Sequence, residues 1–142
     1  MPNWCWNNIH IDGPPEDLER FTEMVQGADD NGNKSLFDFR RIVPAPPEAH
    51  DRDVTVNAEG PLPAGYSWAI NNWGTKWNAG EVEMDAGDGW AIYTFDTAWE
   101  PPLKVIKHAS KLFPTLEFQI EYSEPGNGVI GMERFKSGEE ID

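Results

Sequence analysis

The chain has 142 residues, of which 39% are hydrophobic and 12% aromatic, a composition that suits one folded domain with its own core. Asp and Glu total 25 against 11 Lys and Arg, and the net charge of -14 repels phosphate backbones and anionic lipid, which argues against nonspecific nucleic-acid binding. No apolar run approaches the ~20 residues needed to span a bilayer, the N-terminus lacks basic and apolar leader regions, and Cys5 has no partner for an internal disulfide; a reducing cytoplasm without membrane contact is the expected setting.

Trp4 to Asp12, WCWNNIHID, comes first in chain order. Cys5, Asn7, Ile9 and Ile11 share one parity and Trp4, Trp6, Asn8 and His10 the other, which predicts a strand with two unlike faces. Gly13-Pro14-Pro15 ends it. From Glu16 to about Gln26, Leu18, Phe21 and Val25 recur at helical spacing behind an acidic first turn, so a helix is expected. GADDNGNK reads as a loop by composition. From about 35 to 80, prolines break up short apolar pieces, and an irregular insertion with brief strands or turns is expected.

Regularity returns after Gly80. Val82 and Met84 alternate with Glu81, Glu83 and Asp85, AGDG turns the chain, and WAIYTFDTAW completes a hairpin. Pro101-Pro102 opens a helix, LKVIKHASKLF, with Leu103, Ile106, Ser110 and Phe113 on one side and Lys104, Lys107, His108 and Lys111 on the other. TLEFQIEYS then alternates, with Leu116, Phe118, Ile120 and Tyr122 inward. A turn, EPGNG, leads to a last strand, VIGMERF, and the tail KSGEEID is expected to fray.

The sum is an α+β fold of the ferredoxin-like split βαβ type (βαββαβ), spanning residues 1–142 as one domain. Two helices cover one face of an antiparallel sheet, the other face is open, a long insertion follows the first helix, and an extra C-terminal strand widens the sheet. The stretches MPNWCWNNIHIDG, NNWGTKWNA and YTFDTAWEPP keep this order across positions 1 to 102 and resemble the YubB family, a ferredoxin-like group of bacterial plasmids, phages and related mobile elements. The resemblance implies that fold and a mobile-element setting. It carries over no catalytic or binding residue.

Among candidate sites, AINNWGTKWNA stands out. Trp73 and Trp77 point the same way whether the segment is helix or strand. One reading makes them plugs, with the insertion folded over the open sheet face and Thr75 serving turns. The other makes them an aromatic platform for a base or sugar, with Asn71, Asn72, Lys76 and Asn78 supplying hydrogen bonds. A second candidate is the basic stripe Lys104, Lys107, His108 and Lys111, which either docks a partner or is answered across the helix pair by Glu16, Glu19 and Glu23.

The remaining constellations point to bland roles. His10, His50 and His108 belong to no ligand pattern, so no metal or cofactor is expected. Glu48, His50, Asp51 and Asp53 lack calcium-loop spacing and read as a solvated loop. Cys5 and His10 leave a strand on opposite faces and cannot pair as nucleophile and base. Glu81, Glu83 and Asp85, beside Asp88, read as a solvated face that deters edge pairing. No GxSxG, P-loop or GxGxxG occurs. The leading functional expectation is therefore a non-enzymatic interaction module of a phage or plasmid that binds a host or element protein through a sheet edge or its acidic surface. The runner-up is a small-ligand or nucleotide-binding protein, or an enzyme, with its pocket at Trp73 and Trp77.

Overall fold

In the computed structural model, residues 4–29, 31–44, 69–75 and 77–141 are described. Strand β1 (Trp4–Asp12) is central and follows its alternation: Cys5, Asn7, Ile9 and Ile11 are buried. It pairs antiparallel with β5 (Trp90–Ala98) on one side and β6 (Glu117–Glu124) on the other. Outside β5 lies β4 (Gly80–Gly87), and outside β6 lie β7 (Val129–Lys136) and β8 (Glu139–Ile141), giving the six-stranded order β4-β5-β1-β6-β7-β8. The first four positions of that order are the split βαβ arrangement, all antiparallel.

Helices α1 (Pro15–Met24) and α2 (Leu103–Leu112) cover the face to which Ile9 and Ile11 point. From α1, Leu18 and Phe21 enter the core, where the Phe21 ring meets Tyr93, Phe113 and Phe118 edge-on. From α2, Val105, Ile106 and Ala109 do the same. Edge-to-face contact suits the aromatic quadrupole, and these rings supply much of the buried apolar area.

The tail does not fray. Glu139–Ile141 pairs with β7, and the turn before it is fastened to α2: the Gly138 amide donates to Ser110 Oγ at 3.0 Å, while that hydroxyl donates to Lys107 O at 2.6 Å. A polar residue on the inner side of α2 thus anchors the last strand, a long-range effect that local composition does not carry.

GADDNGNK also gains more order than its composition predicts. Asp29 Oδ1 accepts the amides of Asn31 and Asn33, closing a ribbon in which β2 (Gly27–Ala28) pairs with β3 (Lys34–Ser35). Both ends of the insertion meet at one buried carboxylate. Asp38 Oδ2 accepts the Ala28 amide at 3.0 Å, and its Oδ1 accepts from the Arg40 amide at 3.0 Å and from Asn78 Nδ2 at 2.7 Å. Asn78 Oδ1 in turn accepts the amides of Phe39 and Ala79, each at 2.9 Å. A side chain on Gly27 would run into the Asp38 carboxylate, so the close approach requires glycine there.

Residues 69–72 are helical and end at Gly74, whose φ is +92°. That reversal carries neither helical nor strand periodicity through Trp73 and Trp77, so the two indoles part company. Trp73 is 5% exposed, packs against Phe39 and donates from Nε1 to Val43 O at 3.0 Å. It completes the helix-side core rather than a second core on the open face. Trp77 is half-buried against Trp4.

Candidate functional site

The face away from the helices is defined by the other parity of β1. Trp6, 43% exposed, is flanked by Asp96 of β5 and Ser123 of β6; Asn8 is flanked by Thr94 and Glu121. Strand β7 sets Ile130 opposite Ser123 and Met132 opposite Glu121, and these two are 80% and 56% exposed. A shallow groove of about 430 Å³ runs among Trp6, Ser123, Ile130 and Met132. Beyond Asp96 and Thr94, edge strand β4 adds Glu83, opposite Thr94, and Asp85, opposite Ile92. The face therefore has a large apolar centre with carboxylates beside it. Exposed Trp, Ile and Met gathered on one surface is the composition of a contact site.

At the Trp4 end, the Trp4 and Trp77 rings lie 6.0 Å apart and tilted by 47°. Strand β4 starts with a bulge: the register jumps between Gly80 and Glu83, and Glu81 has a φ of +51°. A bulge re-aims a side chain out of strict alternation, and the Glu81 carboxylate is set beside Asp96. Burial, and then the Glu81 charge, raise the Asp96 carboxyl above the usual range. Two small clefts of about 300 Å³ each share Trp4, Gly80 and Glu81; one adds Trp77 and the other adds Asp96.

A cleft of about 490 Å³ lies where β5 turns into α2, among Ile70, Trp99, Leu103, Lys104, Tyr122 and Val129. Trp99 has a φ of +70°, which a bulky residue adopts only when its surroundings impose it. They do so here. Thr97 Oγ1 donates to Glu100 O at 2.6 Å, the Glu100 amide donates to Ala98 O at 2.8 Å, and Thr75 Oγ1 donates to the same Ala98 oxygen at 2.7 Å. Buried Asn7 anchors this junction from β1 by donating to Thr97 Oγ1 at 2.9 Å and to Phe95 O at 3.3 Å.

This architecture has a counterpart among known proteins. The family model described as the ferredoxin-like domain in Api92-like protein matches residues 72–142. The chain belongs to that family. A crystal structure of the protein api92 from Yersinia pseudotuberculosis superposes with a TM-score of 0.79 over 100% of this chain and 97% of that one. At 10% sequence identity, that likeness shows a common fold. No curated protein matches the chain.

In this Api92-like fold the residues singled out from the sequence scatter. Trp73 is core and Trp77 borders the Trp4 cleft; Asn72 is exposed, and Lys76 lies outside the described residues. Asn78 spends both ends of its amide on Asp38, Phe39, Ala79 and Ala28, so it is part of the frame. Glu48, His50, Asp51 and Asp53 also lie outside the described residues.

On α2, Lys104, Lys107 and Lys111 are exposed and His108 is half-buried. Lys104 Nζ donates to Asn71 O at 3.0 Å. Among the described residues no ion pair joins this stripe to Glu16, Glu19 or Glu23, and α1 makes its own pair between Arg20 and Asp17. Cys5 and His10 do lie on opposite faces: the thiol is buried and pushed up to about 11 by that burial, while His10 Nε2 lies 3.3 Å from Asp12. Among the described residues no group of three or more His, Cys, Asp and Glu side chains is arranged to hold a metal, and no helix is long and apolar enough to cross a membrane.

The residues that sequence reasoning passed over are Trp6, Ile130 and Met132 as a set. The signal was present. In VIGMERF the parity of Phe135 points inward, which sends Ile130 and Met132 to the same side as Trp6 once β7 pairs with β6.

Proposed function

We propose that the chain is a non-enzymatic protein-interaction module whose open sheet face docks a basic surface of a partner protein. One observation carries this: Trp6, Ile130 and Met132 form an exposed apolar centre with Asp96, Glu121, Glu83 and Asp85 beside it. Apolar anchors supply most of the binding energy at such surfaces. Carboxylates around them, in a chain of net charge -14, select Lys- and Arg-rich partners and speed their approach. The YubB resemblance adds the setting: a plasmid or phage product acting on a protein of its bacterial host or of the element, in the cytoplasm.

A second reading has one specific support. The cleft of about 490 Å³ beside Trp99 falls in the size range of small-ligand pockets and is bordered by a strained aromatic residue. It replaces the Trp73 and Trp77 segment as the place where a small molecule would bind.

The experiment is affinity capture from a bacterial host with the wild-type chain and with an Ile130→Glu/Met132→Glu variant, washed at low and high salt. The docking reading expects a partner with a basic surface that the wild type retains, the variant loses, and salt weakens. Equal retention by both chains contradicts it. A small molecule eluting from the wild type and lost on Trp99→Ala favours the cleft.

A further inference from the structure

We infer that the clefts at the Trp4 end of the open face form a pocket for one cationic side-chain head, the ammonium of a lysine or the guanidinium of an arginine. This rests on the docking reading and names what the acidic end of that face would hold. The walls come first. Trp4 is 46% exposed, and its ring packs against that of Trp77, 6.0 Å away and tilted by 47°, so that the two indoles together line one side of a cleft. Indole is the best aromatic partner for a cation because its face carries the negative end of the ring quadrupole.

The floor has matching charge. The bulge in β4 sets Glu81 beside Asp96, at the junction of the two clefts that share Trp4 and Gly80. Among the described residues neither carboxylate has a Lys or Arg partner. Like charges held side by side raise one another, and Asp96 is raised by burial and then by Glu81. A cation seated between them relieves that repulsion while its alkyl stem lies along the indoles. An anion meets repulsion there, and a neutral side chain gains only the apolar wall. Asp29, at the far rim, is already committed, because its Oδ1 accepts the amides of Asn31 and Asn33.

The site is also continuous with the apolar centre. Asp96 pairs in register with Trp6, which in turn sits beside Ser123, across from Ile130. A partner presenting a Lys or Arg next to an apolar patch would therefore fill both regions in one approach.

The test is an NMR titration of the full chain, following the indole N–H signals. The probes are Nα-acetyl-lysine amide and Nα-acetyl-arginine amide, with Nα-acetyl-norleucine amide as the neutral control. The pocket predicts saturable shifts of the Trp4 and Trp77 signals with the cationic probes alone. Glu81→Gln/Asp96→Asn should weaken them by at least about threefold, and Trp4→Ala should abolish the Trp77 shift. Since Glu81 and Asp96 contribute no described ion pair, the double variant should melt near the wild-type temperature, so loss of binding is not loss of fold. Silent indoles, or equal shifts with the norleucine probe, overturn the pocket. That result is distinct from failure of the docking face, which is read from partner retention by the Ile130→Glu/Met132→Glu variant.

Discussion

Replacing Trp73 by Ala removes the side chain that closes the helix-side core. Its ring contacts Phe39 at a centroid distance of 5.6 Å and an interplanar angle of 69°, and its Nε1 donates to Val43 O at 3.0 Å. Truncation of a large aromatic in a core costs about 3–5 kcal/mol, the spread depending on how far the cavity collapses. Here collapse is limited on two sides, by the Gly74 reversal and by the Val105 amide, which donates to Trp73 O at 3.3 Å and ties the segment to α2. The upper half of the range is expected. For a chain of this size that corresponds to a fall in melting temperature of roughly 13–17 °C. Trp73→Phe keeps most of the volume and loses the hydrogen bond, for a cost of about 1–2 kcal/mol. Urea denaturation followed by far-UV circular dichroism, with equal slopes for all three proteins, measures this. A Trp73→Ala chain within about 1 kcal/mol of wild type would show that Trp73 does not close the core, because that is the scale of surface substitutions, not of core truncations.

Other outcomes follow from the same frame. Asn78→Ala strips acceptors from the amides of Phe39 and Ala79 and a donor from Asp38; the expected loss is about 2–4 kcal/mol by the same denaturation assay, and near-native stability would contradict its role as a knot. Gly74→Ala forces a side chain to adopt a φ of +92° with its Cβ only 3.2 Å from Leu103 N and Pro101 O, at a cost of about 1–2 kcal/mol in thermal unfolding. Burial pushes the Cys5 thiol up to about 11, so at pH 8 an aromatic disulfide reagent should react at least ~100-fold more slowly with the folded chain than with the chain in denaturant. Stoichiometric labelling of the native protein within minutes would show that Cys5 is not core.

Much of the frame was legible because it is written in local periodicity. The two parities of WCWNNIHID, the hairpin around AGDG and the alternation of TLEFQIEYS are each visible in one short stretch, and each survives in the sheet. What was not legible depends on contacts between distant stretches. The tail forms β8 because Gly138 finds Ser110 across 28 residues, and the two ends of the insertion meet because Asp38 and Asn78 pair across 40. Trp73 and Trp77 read as one site only while a single periodicity is assumed, and Gly74 breaks it. The bulge that sets Glu81 beside Asp96 is likewise invisible in GEVEMDAG, which alternates without interruption.

The proposed docking face was half legible. Trp6 and its parity were plain from β1, but Ile130 and Met132 join it only through the register of β7 on β6. An apolar residue on the outward parity of a terminal strand is therefore a cue worth weighing as heavily as a cluster of tryptophans. Here the cluster supplied one core plug, one wall of a cleft and a frame-forming amide.

Hydroxyl-radical footprinting of the chain, free and bound to its captured partner, distinguishes a partner on the open sheet face from one on the helices, because Trp and Met side chains are strong reporters. A partner on the open face protects Trp6, Ile130 and Met132 on binding and leaves Leu112, exposed on α2, unchanged. Protection of Leu112 and the lysine stripe, with Trp6 and Met132 still open, would place the partner on the helices and contradict docking on the open face.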